Sequence, residues 1–170
     1  MATEILTKSG TPIVWDSAGT SYGISLEGLI AATGAQGAKG DLGAVRAREF
    51  DVDFVIKTGT APTAGKTYDL YWCPSVESTV GSGNPGGCNG TDSSYKGYAS
   101  STIAASVQQL EFVGALVIAN ELNTRQNQHF VLAPPARYGM PVVVNNTDQT
   151  SNAETVDHQV RLTPLIDESQ

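Results

Sequence analysis

The chain has 170 residues, of which 16% are charged, and a formal net charge of −7. Its 10 basic residues form no run that would make a docking stripe, which argues against nucleic acid or an anionic membrane as a partner. With so few charges, against roughly 25% in ordinary soluble domains, Ser, Thr, Asn, Gln and Gly must cover much of the surface. That pattern suits secreted, virion or multi-subunit proteins.

The length predicts one domain able to bury a core without a metal or disulfide. The opening MATEILTKSGTPIVWD lacks a basic stretch followed by an apolar one, and no window reaches membrane-spanning length. The expected product is soluble and made in the cytosol.

In chain order, residues 1–40 read as an N-terminal arm and residues 41–170 as the folded domain. Within the arm, Thr11–Asp16 predicts a short strand through Ile13, Val14 and Trp15. Ser25 is placed to cap a brief helix over SLEGLIAATG, with Leu26, Leu29 and Ile30 on one face and Gly34 ending it. Gly34–Gly40 reads as a flexible connector.

From Asp41 the pattern becomes β-like. Phe50, Val52, Phe54 and Ile56 alternate with Glu49, Asp51, Asp53 and Lys57 at other positions, giving one core face and one wet face. Val45 and Ala47 are out of phase with Phe50, which predicts a bulge or bend near Arg48. After the turn TGTAPTAGK, Thr67–Cys73 predicts a strand with Tyr68, Leu70 and Trp72 on one face. Pro74–Ser101 is a long Gly/Ser/Asn-rich excursion of the kind that is often exposed or functional. Asn84-Pro85-Gly86-Gly87 is a turn signal within it. A helical turn is expected over Ser101–Gln109, and further strands at Gln128–Ala133, Met140–Asn145 and Val156–Pro164. About seven strands at these spacings predict an all-β, jelly-roll-like antiparallel sandwich with an extended N-terminal arm.

Leu110–Asn120 is apolar on both faces. Leu110, Phe112, Leu116 and Ile118 point one way in an extended strand, and Val113, Ala115, Val117 and Ala119 the other. The second face needs a cover, from this chain or from another subunit. This makes the segment a candidate central strand and Val113, Ala115 and Val117 a candidate subunit interface.

The chemistry is sparse. Cys73 and Cys88 read either as a disulfide, worth about 3 kcal/mol for a loop of about 15 residues, or as two free thiols, the default for cytosolic synthesis. Neither His129 nor His158 stands at a metal-ligand spacing from them. No G-x-S-x-G elbow is present; His158, in phase with Val156, Val160 and Leu162, reads as a packed histidine and His129 as a surface one. Glu49, Asp51 and Asp53 read as a solvated strand face rather than a glycosidase or calcium pair. GAQGAKGDLG lacks Walker spacing and GSGNPGGCNGTD lacks the EF-hand glutamate. The sequons at Asn89 and Asn145 read as chance matches. Tyr71, Trp72, Tyr95 and Tyr98 are a candidate sugar-stacking platform. No catalytic residue, metal or cofactor is expected.

The blocks GAKGDLGAVRAREFDV, APTAGKTYDLYWCPS, GSGNPGG, QQLEFVGALV, PPARYGMPVVVNNT and VRLTPLIDESQ, in this order, resemble a family of small head proteins of tailed bacteriophages similar to capsid decoration (cement) proteins. The resemblance runs from about Ala38 to Gln170 and implies a non-enzymatic, jelly-roll homotrimer on the virion surface. Its implied partner is the major capsid protein, with capsomers bridged against the pressure of packaged DNA. The family carries no catalytic residues to transfer. A carbohydrate-binding jelly roll of a tail or fibre, using Tyr95 and Tyr98, is the alternative expectation.

Overall fold

A computed structural model describes residues 5–169. Its strands are β1 (Ile5–Ser9), β2 (Ile13–Asp16), β3 (Tyr22–Gly23), β4 (Gly34–Gln36), β5 (Gly40–Asp41), β6 (Glu49–Lys57), β7 (Thr67–Ser75), β8 (Ser93–Tyr95), β9 (Glu111–Val117), β10 (Arg125–Leu132), β11 (Tyr138–Asn145) and β12 (Gln159–Ser169). One short helix, α1 (Ile103–Ser106), runs on into a 3₁₀ turn at Val107–Gln109. No helix among the described residues is long and apolar enough to cross a membrane.

The strands form two sheets, an all-β sandwich as expected. Sheet A has the order β10-β6-β12-β2-β3, with β1 also on β12; sheet B has the order β8-β4-β11-β7-β9, with β5 also on β11. Every pairing is antiparallel except that of β2 with β3. The period-two pattern of β6 and β7 supplies the core between the sheets. Phe50, Val52, Phe54 and Ile56 face Tyr68, Leu70 and Trp72, and Val160 and Leu162 of β12 and Val143 of β11 complete the layer. Trp15 packs edge-on against Trp72 at 5.6 Å and stacks on Tyr22 at 5.2 Å. Its indole N–H donates to the Ala38 carbonyl at 2.8 Å.

The expected boundary at residue 40 is corrected by this core. Trp15, Ile24, Leu26, Leu29 and Ala35 belong to the same cluster as β6 and β7, and strands from the first forty residues enter both sheets. The expected helix at 25–34 is not formed. Gly28 and Ala32 have φ of +63° and +60°, outside the right-handed helical region. Long-range hydrogen bonds take the place of helical ones. The Leu29 N–H donates to Ser151 Oγ at 2.8 Å, the Asn145 amide donates to the Leu29 carbonyl at 2.8 Å, and the Ala32 N–H donates to the Asn145 carbonyl at 2.8 Å. Leu26 and Leu29 are buried because the loop is pulled inward, not because they share a helical face.

Leu110–Asn120 also takes a different place. Its strand, β9, is the edge of sheet B, and the central strand buried on both faces is β11. Met140, Val142 and Val144 of β11 enter a second cluster with Cys73, Cys88, Tyr95, Val107 and Leu110. Thus the excursion after β7 and the helical turn at α1 cover the outer face of sheet B from within the chain. A β-bulge between Leu70 and Tyr71 pairs Leu70 with Gly114 but Tyr71 with Phe112. The extra residue, Val113, turns to the core, while Phe112 emerges on the outer face at 56% exposure.

Candidate functional site

The least self-contained part of the fold is one end of sheet A. β12 pairs with β6 up to Leu165↔Glu49, and from Ile166 to Ser169 it pairs only with β1. The two strands therefore continue past the sandwich as a two-stranded ribbon with open edges. At its base lies a cleft of about 840 Å³, walled by Thr7, Leu165 and Asp167 of the ribbon, by the loop from Ala44 to Glu49, and by Ala133 and Pro134.

That loop is the bend expected near Arg48, and its side chains explain its position. The carboxylate of Asp41 accepts both arms of the Arg137 guanidinium at 2.8 and 2.7 Å and the Gly43 N–H at 2.8 Å. The hydrogen bonds from Arg137 are the main reason the Asp41 carboxyl is held below its ordinary pKa. Arg46 donates to the carbonyls of Pro134 and Pro135, at 3.4 and 3.2 Å. Held at both ends, the loop presents Val45 at 99% exposure, and Arg48 beside it is also exposed. A fixed loop with a bare aliphatic tip, next to a cleft and an open-edged ribbon, is suited to contact with another protein.

The candidate interface at Val113, Ala115 and Val117 is divided by the bulge. Val113 packs against the core, whereas Val117 is 57% exposed and Ala115 half-buried. Phe112 joins the outer face, its ring 5.3 Å from that of Tyr71. This gives the edge strand an exposed apolar face of Phe112 and Val117, which reading the run with a strict period of two missed.

The other nominated residues have structural employment. Trp72 lies in the main core and Tyr95 in the second cluster. The Tyr98 hydroxyl donates to Gln109 at 2.7 Å, so the four aromatics do not make a platform. Lys39, from the Gly-rich GAKG, donates to the carbonyls of Glu77, Thr79 and Ser82 at 3.0, 2.6 and 2.7 Å. Its ammonium gathers that loop, and burial lowers its pKa. Asp92 of the calcium-like segment accepts from the N–H and hydroxyl of Ser25. The buried Asn145 spends its amide on the Leu29 and Gln149 carbonyls.

His158 is packed, as expected. Its Nδ1 accepts the Lys57 N–H at 3.2 Å and its Nε2 donates to the Asn152 carbonyl at 2.9 Å, which fixes the neutral ring. Burial lowers its pKa. His129 lies on the wet face of sheet A, 3.4 Å from Asp51 and 3.6 Å from Asp53. Among the described residues no group of three or more His, Cys, Asp or Glu is disposed to hold a metal. Cys73 and Cys88 are both buried as free thiols in the second cluster. No protein-family model and no curated protein matches the chain.

Proposed function

We propose that this protein is a structural virion protein that decorates the icosahedral capsid of a tailed phage and stabilises it by bridging capsomers. The observation that carries the reading is the ribbon of β1 and the end of β12, which leaves the sandwich beside the exposed loop at Val45. A lone two-stranded ribbon is marginal in water. Its open edges and the cleft at its base supply backbone and side-chain groups for a partner, here the major capsid protein. The order of sequence blocks that resemble head proteins supports the same reading.

The protein acts as a homotrimer in this proposal, with the outer face of β9, through Phe112 and Val117, between copies. Each site then contributes modestly, and the shell gains by repetition. Deletion of residues 1–9 removes the ribbon, and of the side chains described there, Thr7, Lys8 and Ser9, none belongs to either cluster. The shortened protein is expected to fold and to lose co-sedimentation with capsids. Undiminished co-sedimentation would contradict the role given to the ribbon.

A further inference from the structure

Cys73 leaves the outer face of β7 and enters the second cluster fully buried, and Cys88 lies over it at 7% exposure. The turn between them has little freedom. Gly86 and Gly87 have φ of +66° and +75°, the left-handed region that favours glycine. A Cβ at Gly86 would meet the Leu110 side chain at 2.6 Å, and one at Gly87 would meet the Gly97 backbone at 2.4 Å. The Pro85 carbonyl then collects two donors, the Cys88 N–H at 3.2 Å and the Cys73 thiol at 3.5 Å. Behind the turn, the Tyr95 hydroxyl donates to the Gly86 carbonyl at 2.6 Å. Both thiols thus lie in one buried cluster, gathered about the Pro85 carbonyl.

We propose that Cys73 and Cys88 are a disulfide site: the folded chain closes this bond within one molecule on meeting a low-molecular-weight disulfide such as oxidised glutathione. Cys88, the less deeply buried, loses its proton and attacks the glutathione disulfide, expelling one glutathione thiolate. Cys73, deprotonated in turn, attacks the Cys88 sulfur of the mixed disulfide and expels the second. The protein loses two protons and two electrons, and one glutathione disulfide becomes two thiols. The bond staples the 74–87 loop, and with it part of the cover over sheet B, to β7. The neighbouring Cys73 thiol and burial raise the Cys88 pKa, so closure is slow at neutral pH and faster in alkali.

The test incubates the full chain with oxidised glutathione at about pH 8.5, near the pKa of an ordinary thiol, then alkylates and maps peptides by mass. The expected product is a single covalent chain two hydrogens lighter, with Cys73 linked to Cys88 and both protected from alkylation. It should melt about 5–10 °C higher than the reduced form and revert with dithiothreitol. A Cys73→Ser variant should stop at glutathione on Cys88. The proposal is overturned by a stable mixed disulfide in the native sequence, by cross-linked dimers, or by a linked form that melts no higher. It is equally overturned if the thiols stay free in the folded chain but react once urea unfolds it.

Discussion

Val142 and Val143 are neighbours on β11 and both are fully buried, yet their side chains enter different clusters. Val143 meets β6 and β7 between the sheets, and Val142 meets the loop and helical turn that cross the outside of sheet B. The chain is therefore three layers deep at this strand and two layers deep at β9. The difference leaves Phe112 and Val117 exposed at the edge of sheet B, where the proposal seats another copy. The bare ribbon end of sheet A is the second, separate contact of that proposal.

The bulge in β9 gives opposite outcomes at two valines. Val113→Asp places a carboxylate against the core and is expected to cost about 2 kcal/mol or more. Val117→Asp lies on the outer face and is expected to change monomer stability by no more than about 0.5 kcal/mol, while weakening self-association. Urea melts and light scattering check both. Equal destabilisation would place the two side chains in one environment.

Gly139 faces Trp72, and a Cβ there would lie 2.3 Å from the indole. The ring cannot retreat, because it is held against Trp15. Gly139→Ala is expected to destabilise by about 1–3 kcal/mol, with loss of near-ultraviolet tryptophan signal. Full stability would show that the ring is free to move.

His158 makes stability fall in mild acid. Its folded pKa lies below the ordinary 6.5, so the unfolded chain takes up a proton that the folded chain refuses. The histidine contribution is therefore complete above the unfolded pKa and is lost as pH falls below it. Asp41, Asp148 and Asp157 have lowered pKa values, so their contribution is lost at more acid pH, below the ordinary 3.8. Unfolding midpoints should begin to decline as pH falls below about 6.5. His158→Gln, able to accept from Lys57 and donate to Asn152, should flatten that decline; an unchanged slope would assign it elsewhere.

Lys39 holds three carbonyls of one loop. Lys39→Met leaves them without their donor and should speed proteolytic cleavage within 76–83 several-fold, in proportion to local opening. The rest of the fold is expected to persist. An unchanged cleavage rate would mean that the loop is ordered by other contacts.

The strongest period-two signals, Phe50–Ile56 and Tyr68–Trp72, are legible because fully buried apolar residues alternate there with half-buried Asp51, Asp53, Asp69 and Tyr71. The place of β11 was not, since MPVVVN is too short to reveal whether one face or two are covered. The segment 25–33 misled because its capping and spacing are helical, while Ser151 and Asn145, far along the chain, supply the bonds that hold it open. The shift at Val113 depends on pairing with β7, which no local pattern carries. For the candidate site, the phase change near Arg48 announced a bend, but nothing local announced that β12 outruns its sheet. Cys73 and Cys88 stand out as a pair in the sequence from their small number and spacing alone, and the Asn84–Gly87 turn brings them into one buried cluster.

The capsid role is tested most directly by a cryo-electron-microscopy reconstruction of tailed-phage particles from a host carrying this gene. The expected map shows three copies of the sandwich at capsomer boundaries, with the β1–β12 ribbon ends against the major capsid protein. Particles complete in their shell proteins but without this chain would contradict the proposal.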